Sequence, residues 1–233
     1  MPDPVRLAII GLGMATKPHL LALEELRGRV EVSGVLNRNR AKAEAVGAEH
    51  GWRVFDDLAA VAADPGTDGV IVATPPDQRR EIVSAMAAGG KPVLMEKPVE
   101  RTLAAARAIV AECADAGVPL GIVFQHRFRA GARRLRELVD GGRLGELALV
   151  RATVPWWRDQ AYYDQPGRGT LARDGGGVLI SQAIHVLDLM LSLTGPAASV
   201  QAMRATTRMH AMETEDFVAA GLRFASGAVG SVV

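Results

Sequence analysis

The tightest constraint on the fold is a series of short apolar runs, most of which do not alternate. "VRLAIIG" (5–11), "VEVSGVL" (30–36), "DGVIVAT" (68–74), "KPVLM" (91–95) and "PLGIVFQ" (119–125) are short and rich in Val, Ile and Leu. A strand with one wet face alternates apolar and polar side chains, so an unbroken run marks a strand buried on both faces. Between these runs lie helical stretches at about 14–27, 40–50, 77–88 and 102–116, the last with Thr102 as its N-cap. "RVFDD" (53–57) adds a short strand leading into a short helix. Strands alternating with helices predict an α/β unit with a parallel, doubly wound sheet.

After Gln125 the rhythm changes. A basic helical stretch at 130–139 leads to "GGRLGELALVRATV" (141–154), then a polar, aromatic loop (155–174) and the glycine triplet 175–177. A helix from about Val178 to Thr194 follows, and the tail reads as antiparallel strands with turns at "SG". The expected division is 1–125 and 126–233, the second unit being α+β with a mostly antiparallel sheet. The chain stops at Val233 inside an apparent strand, with no turn or charge after it. Natural termini avoid such an apolar edge, so the second unit is expected to be incomplete.

Composition narrows the function. Lys plus Arg number 27 against 26 Asp plus Glu, which leaves no electrostatic footprint for nucleic acid or an anionic membrane. Cys113 is the only cysteine; it sits among small residues and is expected to fill core in a reducing compartment. No run is long enough to span a bilayer, and no basic region precedes the first apolar run. A soluble, cytoplasmic protein is expected.

Gly11 and Gly13 stand between the first strand and the first helix. A dinucleotide fold needs glycine there, once for the tight turn and once so that backbone can approach a pyrophosphate. Thr16 holds the third fingerprint position, where a small residue lets helix and strand pack closely, and implies a wider contact. At the end of the second strand, Asn37 and Arg38 replace the acid that reads a ribose 2′-hydroxyl. Arg38 either pairs with the 2′-phosphate of NADP or is a solvated surface residue.

Lys97 follows a buried strand in "VLMEKPVE", beside Glu96 and ahead of Pro98, at the sheet edge where doubly wound folds bind ligands. It is either poised for a substrate or a plain strand-end lysine. In "DGGGVLISQAIHVLDLM", 100° per residue puts Ser181, His185 and Asp188 on one face, where Asp188 could orient His185. The same histidine also suits a purely structural role. Trp156, Trp157, Tyr162 and Tyr163 cluster with Arg158 and Arg168, suited equally to a sugar or to an interdomain or subunit contact. His19, His50, His126 and His210 lack metal-ligand spacing, and no metal is expected.

In order along the chain, "GLGMATKPH", "VIVATPPD", "GGKPVLMEKPVERT", "FQHRF" and "DGGGVLISQAIHVLDLMLSLTGP" resemble the Gfo/Idh/MocA family of NAD(P)-dependent oxidoreductases. The resemblance implies a Rossmann domain followed by a domain used for substrate and for homo-oligomerisation (dimer or tetramer) through its sheet. Lys97 would hydrogen-bond the reacting hydroxyl and His185 would act as general acid/base, with Pro98 after a cis peptide bond. Glu96 would lie near the nicotinamide ribose, and Thr74 and Pro75 near the adenosine half. With them, Gly11, Gly13, Met14, Ala15, Asn37, Arg38 and Lys97 are assigned to NAD or NADP, with a lean to NADP. Arg127, Arg168, Ser181 and Gln182 are assigned to a sugar-like substrate.

Two positions depart from the family pattern. Ser181 stands where many relatives have Asp, one turn before the histidine, and Arg79 stands where many have His. Serine removes a Lys–Asp–His arrangement, and Arg79 is expected to alter the substrate or the rim of the cleft. The implied activity is hydride exchange between the cofactor and a secondary alcohol of a sugar, cyclitol or nucleotide sugar. A cofactor-binding sensor and an NAD-assisted glycoside hydrolase are the alternatives.

Overall fold

The computed structural model describes residues 3–233, which separate into two compact units, one ending at Val123 and the other beginning at Phe124. The first contains β1 (Val5–Ile10), α1 (Thr16–Glu25), β2 (Val30–Leu36), α2 (Arg40–His50), α3 (Leu58–Ala63), β3 (Gly69–Val72), a 3₁₀ turn at Pro76–Gln78, α4 (Arg79–Ala88), β4 (Val93–Glu96), α5 (Leu103–Asp115) and β5 (Leu120–Val123). All strand pairs are parallel, in the order β2-β1-β3-β4-β5.

Both sheet faces are covered, as the unbroken apolar runs require. Ile9 packs on one side with Val35 and Ala43, while Ile10, Val72 and Met95 pack on the other with Met86 and Ile109. Cys113 belongs to the second of these clusters and burial raises its thiol pKa. Thr102 caps α5 as its side-chain oxygen accepts from the Ala105 amide at 3.2 Å.

The expected strand at "RVFDD" is not one. Only Val54 pairs, through a single parallel bridge to Val35, flanked by Val35 N–H to Arg53 O and Phe55 N–H to Val35 O. The reason is Asp57, whose carboxylate already accepts from Ala60 N at 2.7 Å and starts α3. Two residues after Phe55, no length remains for a ladder.

The second unit begins with a 3₁₀ turn at Gln125–Phe128. It continues with α6 (Ala130–Asp140), β6 (Leu149–Ala152), α7 (Gln160–Tyr163), a π-helical turn at Leu179–Ala183, α8 (Ile184–Thr194), β7 (Ala197–Ala205), β8 (Phe217–Phe224) and β9 (Val229–Val232). The sheet order is β6-β9-β8-β7; β6 and β9 run parallel and the other two pairs antiparallel. Met190, Val186 and Leu187 of α8 pack against Ala152, Phe224 and Val232.

The glycine triplet has a packing role. The segment before β8 lies across the start of the helix, where Val178 N–H donates to Glu215 O at 3.0 Å and Gly177 N–H to Glu215 Oε1 at 3.1 Å. A Cβ on residue 177 would fall 1.8 Å from that carbonyl oxygen. Replacing Gly177 by Ala is therefore expected to destabilise the protein by about 1–3 kcal/mol or more, since backbone has to move. Gly131, in the first turn of α6 with nothing within 4 Å of an added Cβ, gives the contrast. Gly131→Ala should stabilise by up to about 1 kcal/mol, and thermal melts of the two variants check both signs.

Candidate active site

Parallel register puts Ile10, Val72 and Met95 side by side, so Gly11, Ala73 and Glu96 leave the sheet at one edge. Gly11 has φ of 93°, and a Cβ there would strike Thr74 Cγ2 at 2.7 Å, so this close turn requires glycine. At Gly13 an added Cβ would meet only Ala73 O, at 4.0 Å. Met14 is exposed, and Ala15 opens α1 with no side-chain cap. Thr16 is buried and its hydroxyl donates to Gly11 O at 2.9 Å. It ties down the glycine loop, a use the fingerprint comparison missed.

Beside this loop lies a cavity of about 950 Å³ bordered by Gly11, Gly13, Asn37, Arg38, Thr74 and Pro75 among others. Asn37 is spent on structure: Oδ1 accepts from Leu12 N at 3.1 Å and Nδ2 donates to Asn39 O at 3.1 Å. Arg40 is held by Glu44 and Asp56. Arg38 and Lys42 also border the cavity, and Arg38 is exposed. Thr74 Oγ1 is buried with no hydrogen-bond partner among the described residues. A buried hydroxyl without a partner and a glycine-walled turn fit a dinucleotide, whose phosphates and ribose hydroxyls would satisfy both.

At the end of β4, Glu96 is buried, and its Oε1 lies 2.9 Å from His19 Nε2 on α1. His19 sits inside the quoted "GMATKPH", but only the fold reveals the pairing. Lys97 comes next, and the Lys97–Pro98 bond is cis. Arg79, expected to affect the rim of a cleft, is only 2% exposed; its guanidinium donates to carbonyls of the "TPP" and "EKP" turns. Burial lowers its pKa to about 10, opposed by Glu96 and Glu100, so it is charged at neutral pH.

In the second unit His185 is buried at the second position of α8, directly after the π-helical turn. Such turns recur at functional sites. They also widen the helix, to more residues per turn than the 100° wheel assumes. Ser181 Oγ donates to Gly177 O at 2.6 Å. Asp188 receives two bonds from Arg127, at 2.6 and 2.5 Å, so its charge serves that arginine rather than being reserved for His185. The His126 ring lies 5.0 Å from that of His185, and Phe124 stands edge-on at 6.4 Å. His126 carried no sequence signal beyond its place in "FQHRF".

The aromatic loop folds onto its own unit. Arg168 lies over Tyr162 at 4.8 Å and pairs with Asp174, while Gln182 donates to the Tyr163 hydroxyl at 3.0 Å. His210 sits 4.8 Å from the Trp157 ring and binds Asp216 at 2.8 Å. An apolar cavity of about 420 Å³ is bordered by Trp156, Trp157, Phe217, Gln182 and Asp216. Among the described residues, no group of three or more His, Cys, Asp or Glu side chains is placed to hold a metal, and no helix is long and apolar enough to cross a membrane.

Comparison with known proteins gives these features a context. Residues 5–124 match the model of the oxidoreductase family with an NAD-binding Rossmann fold, and 132–233 match the GFO/IDH/MocA C-terminal domain. The protein belongs to the GFO/IDH/MocA oxidoreductase family. D-apiose dehydrogenase of Paraburkholderia graminis is 29% identical over 231 residues, covering 97% of this chain and 59% of that protein. The 1,5-anhydro-D-fructose reductase of Ensifer adhaerens is 30% identical over 205 residues, covering 85% and 60%. The WlbA dehydrogenase from Bordetella pertussis, solved with NADH and UDP-GlcNAcA, superimposes with a TM-score of 0.92 at 32% identity, over 100% of this chain and 69% of that one. The chain thus spans about three-fifths of the length of these two relatives.

Two histidines should titrate on opposite sides of the ordinary value near 6.5. Burial, helped by Arg129, lowers the pKa of His126. Burial also opposes charge on His210, but Asp216 and the Arg158 carbonyl outweigh it and raise its pKa. His126 therefore withholds stability as pH falls below about 6.5, because the unfolded chain binds its proton more readily. His210 contributes stability below about 6.5 that is lost as pH rises through its higher folded value. Imidazole proton NMR checks the order of the midpoints, and a His126 midpoint above that of His210 would contradict this assignment.

Proposed function

We propose that the protein is an NAD(P)-dependent dehydrogenase or reductase acting on a secondary alcohol of a sugar, cyclitol or nucleotide sugar. The observation that carries this reading is Lys97, on the turn after β4, at the edge where Gly11 and the unpartnered Thr74 hydroxyl also emerge. The named activities of the relatives, on apiose and anhydrofructose, support the substrate class. Gly11, Gly13, Met14, Ala15, Thr74, Pro75 and Glu96 hold the dinucleotide, which, when bound, supplies the hydride acceptor or donor.

The chain's own residues handle the proton and the charge. Lys97, as a cation, stabilises the charge that develops on the substrate oxygen as its proton leaves. His185 accepts that proton in oxidation and returns it in reduction. Ser181 carries no charge to share in this, so the chemistry rests on Lys97 and His185. Arg168, Gln182 and Arg127 are assigned to the substrate through the elements they brace. The second unit, 126–233, is assigned to substrate binding and to assembly of a cytoplasmic homo-oligomer through its sheet.

Arg38 and Lys42 support NADP as the cofactor. Both border the cavity at the end of β2, and neither side chain has a hydrogen-bond or ion-pair partner among the described residues. A 2′-phosphate would provide one. Calorimetric titration with both nucleotides at fixed salt should show tighter binding of NADP⁺, and Arg38→Ala should remove most of that preference. Equal or better binding of NAD⁺ would return Arg38 to the surface.

Lys97→Met is expected to lower kcat by about 100-fold or more while leaving cofactor affinity close to that of the unaltered protein. Activity surviving that change on a polyol and sugar panel would overturn the assignment. Cofactor that co-purifies and cycles with no net redox change would favour glycoside cleavage instead.

A further inference from the structure

Arg79 is the most deeply buried cationic side chain near the proposed site, and the chemistry above gives it no part. It is the first residue of α4, yet its side chain turns back under the sheet edge. Its Nε donates to Thr74 O at 3.0 Å and Nη2 to the same oxygen at 2.7 Å. Nη2 also reaches Lys97 O at 3.3 Å, and Nη1 donates to the carbonyls of Glu96 and Pro98. A guanidinium has five N–H donors in a planar fork, and here five contacts reach four carbonyls.

The four carbonyls belong to two turns that leave adjacent strands. Thr74 follows β3, and Glu96, Lys97 and Pro98 close β4. Glu96 still pairs with Val123 of β5, whereas Thr74, Lys97 and Pro98 lie past the last paired residues, where carbonyls would otherwise need water. No carboxylate forms an ion pair with Arg79 among the described residues, so backbone dipoles solvate its charge. Burying a charge this way is expensive, and the arrangement is useful only if it fixes something. What it fixes is the backbone on both sides of the Lys97 Cα.

We propose that Arg79 is a positioning residue: its guanidinium locks the Glu96–Pro98 turn to the Thr74 turn and thereby aims the Lys97 ammonium. The inference rests on the role given to Lys97 above. A lysine cannot reproduce the clamp, because it offers three donors from one point. Conservation of charge is therefore insufficient, and the planar fork is the functional feature.

The test compares Arg79→Lys and Arg79→Gln with Lys97→Met in the full chain. At saturating cofactor, so that any loosening of the turns that hold the dinucleotide does not enter, both Arg79 variants should lose tenfold or more in kcat, with the limb of the pH–rate profile that depends on Lys97 displaced. In protein labelled with ¹³C-lysine, the Lys97 ε-methylene signal, assigned by its loss in Lys97→Met, should shift in both. A folded Arg79→Lys protein with the normal kcat and an unmoved Lys97 signal would overturn the proposal. Should Lys97→Met itself retain activity, the reading of Lys97 fails, which is a distinct result. If neither Arg79 variant folds, the unaltered protein decides. Its Arg79 Nε–H resonance should persist in D₂O and move as Lys97 titrates, and rapid exchange or indifference to that titration overturns the clamp.

Discussion

The parallel pairing of β1, β3 and β4 is the constraint on which the first unit depends. Because these strands run in one direction with matched ends, three different loops leave the sheet together. One carries the glycine turn, one the Thr74 hydroxyl and one Glu96 with Lys97. An antiparallel neighbour would have sent one of those loops to the far edge, and the residues would share nothing but sequence. Helices on both faces are the condition for such a sheet, and they are provided by α1 and α2 on one side and α4 and α5 on the other.

At this edge the chain contains polar groups that its own secondary structure does not satisfy. Carbonyls at and beyond the strand ends need donors, and Arg79 takes up four of them. Glu96 is buried and meets His19. Thr74 Oγ1 keeps no partner among the described residues. Two of these three groups are thus answered from within the unit, and the third belongs to a residue that borders the cavity proposed for the dinucleotide. The second unit follows the same pattern, since Arg127 and Asp188 neutralise each other beside the helix that carries His185.

Some of this was legible in the sequence because it depends on neighbours in the chain. Thr102 caps α5 as its position predicts, and the unbroken Val/Ile runs are the buried parallel strands. The "RVFDD" strand failed for an equally local reason, the capping Asp57. The π-helical turn at Leu179–Ala183 was not legible, since no residue in "LISQA" announces one. Arg79 failed most instructively. A charged residue after "PPD" suggests the substrate or the rim of the cleft, whereas the fold buries it against backbone oxygens that no side-chain pattern can display.

The sequence by itself determined the class of fold and the place of the glycine turn, because periodicity, β-branching and glycine spacing act over a few residues. Only the tertiary structure decided which charges pair. His19 with Glu96 and Arg127 with Asp188 join residues from different elements. A carboxylate takes whichever donor the packing leaves within about 3 Å, and that distance is set by the register of strands and the seating of helices, not by order along the chain.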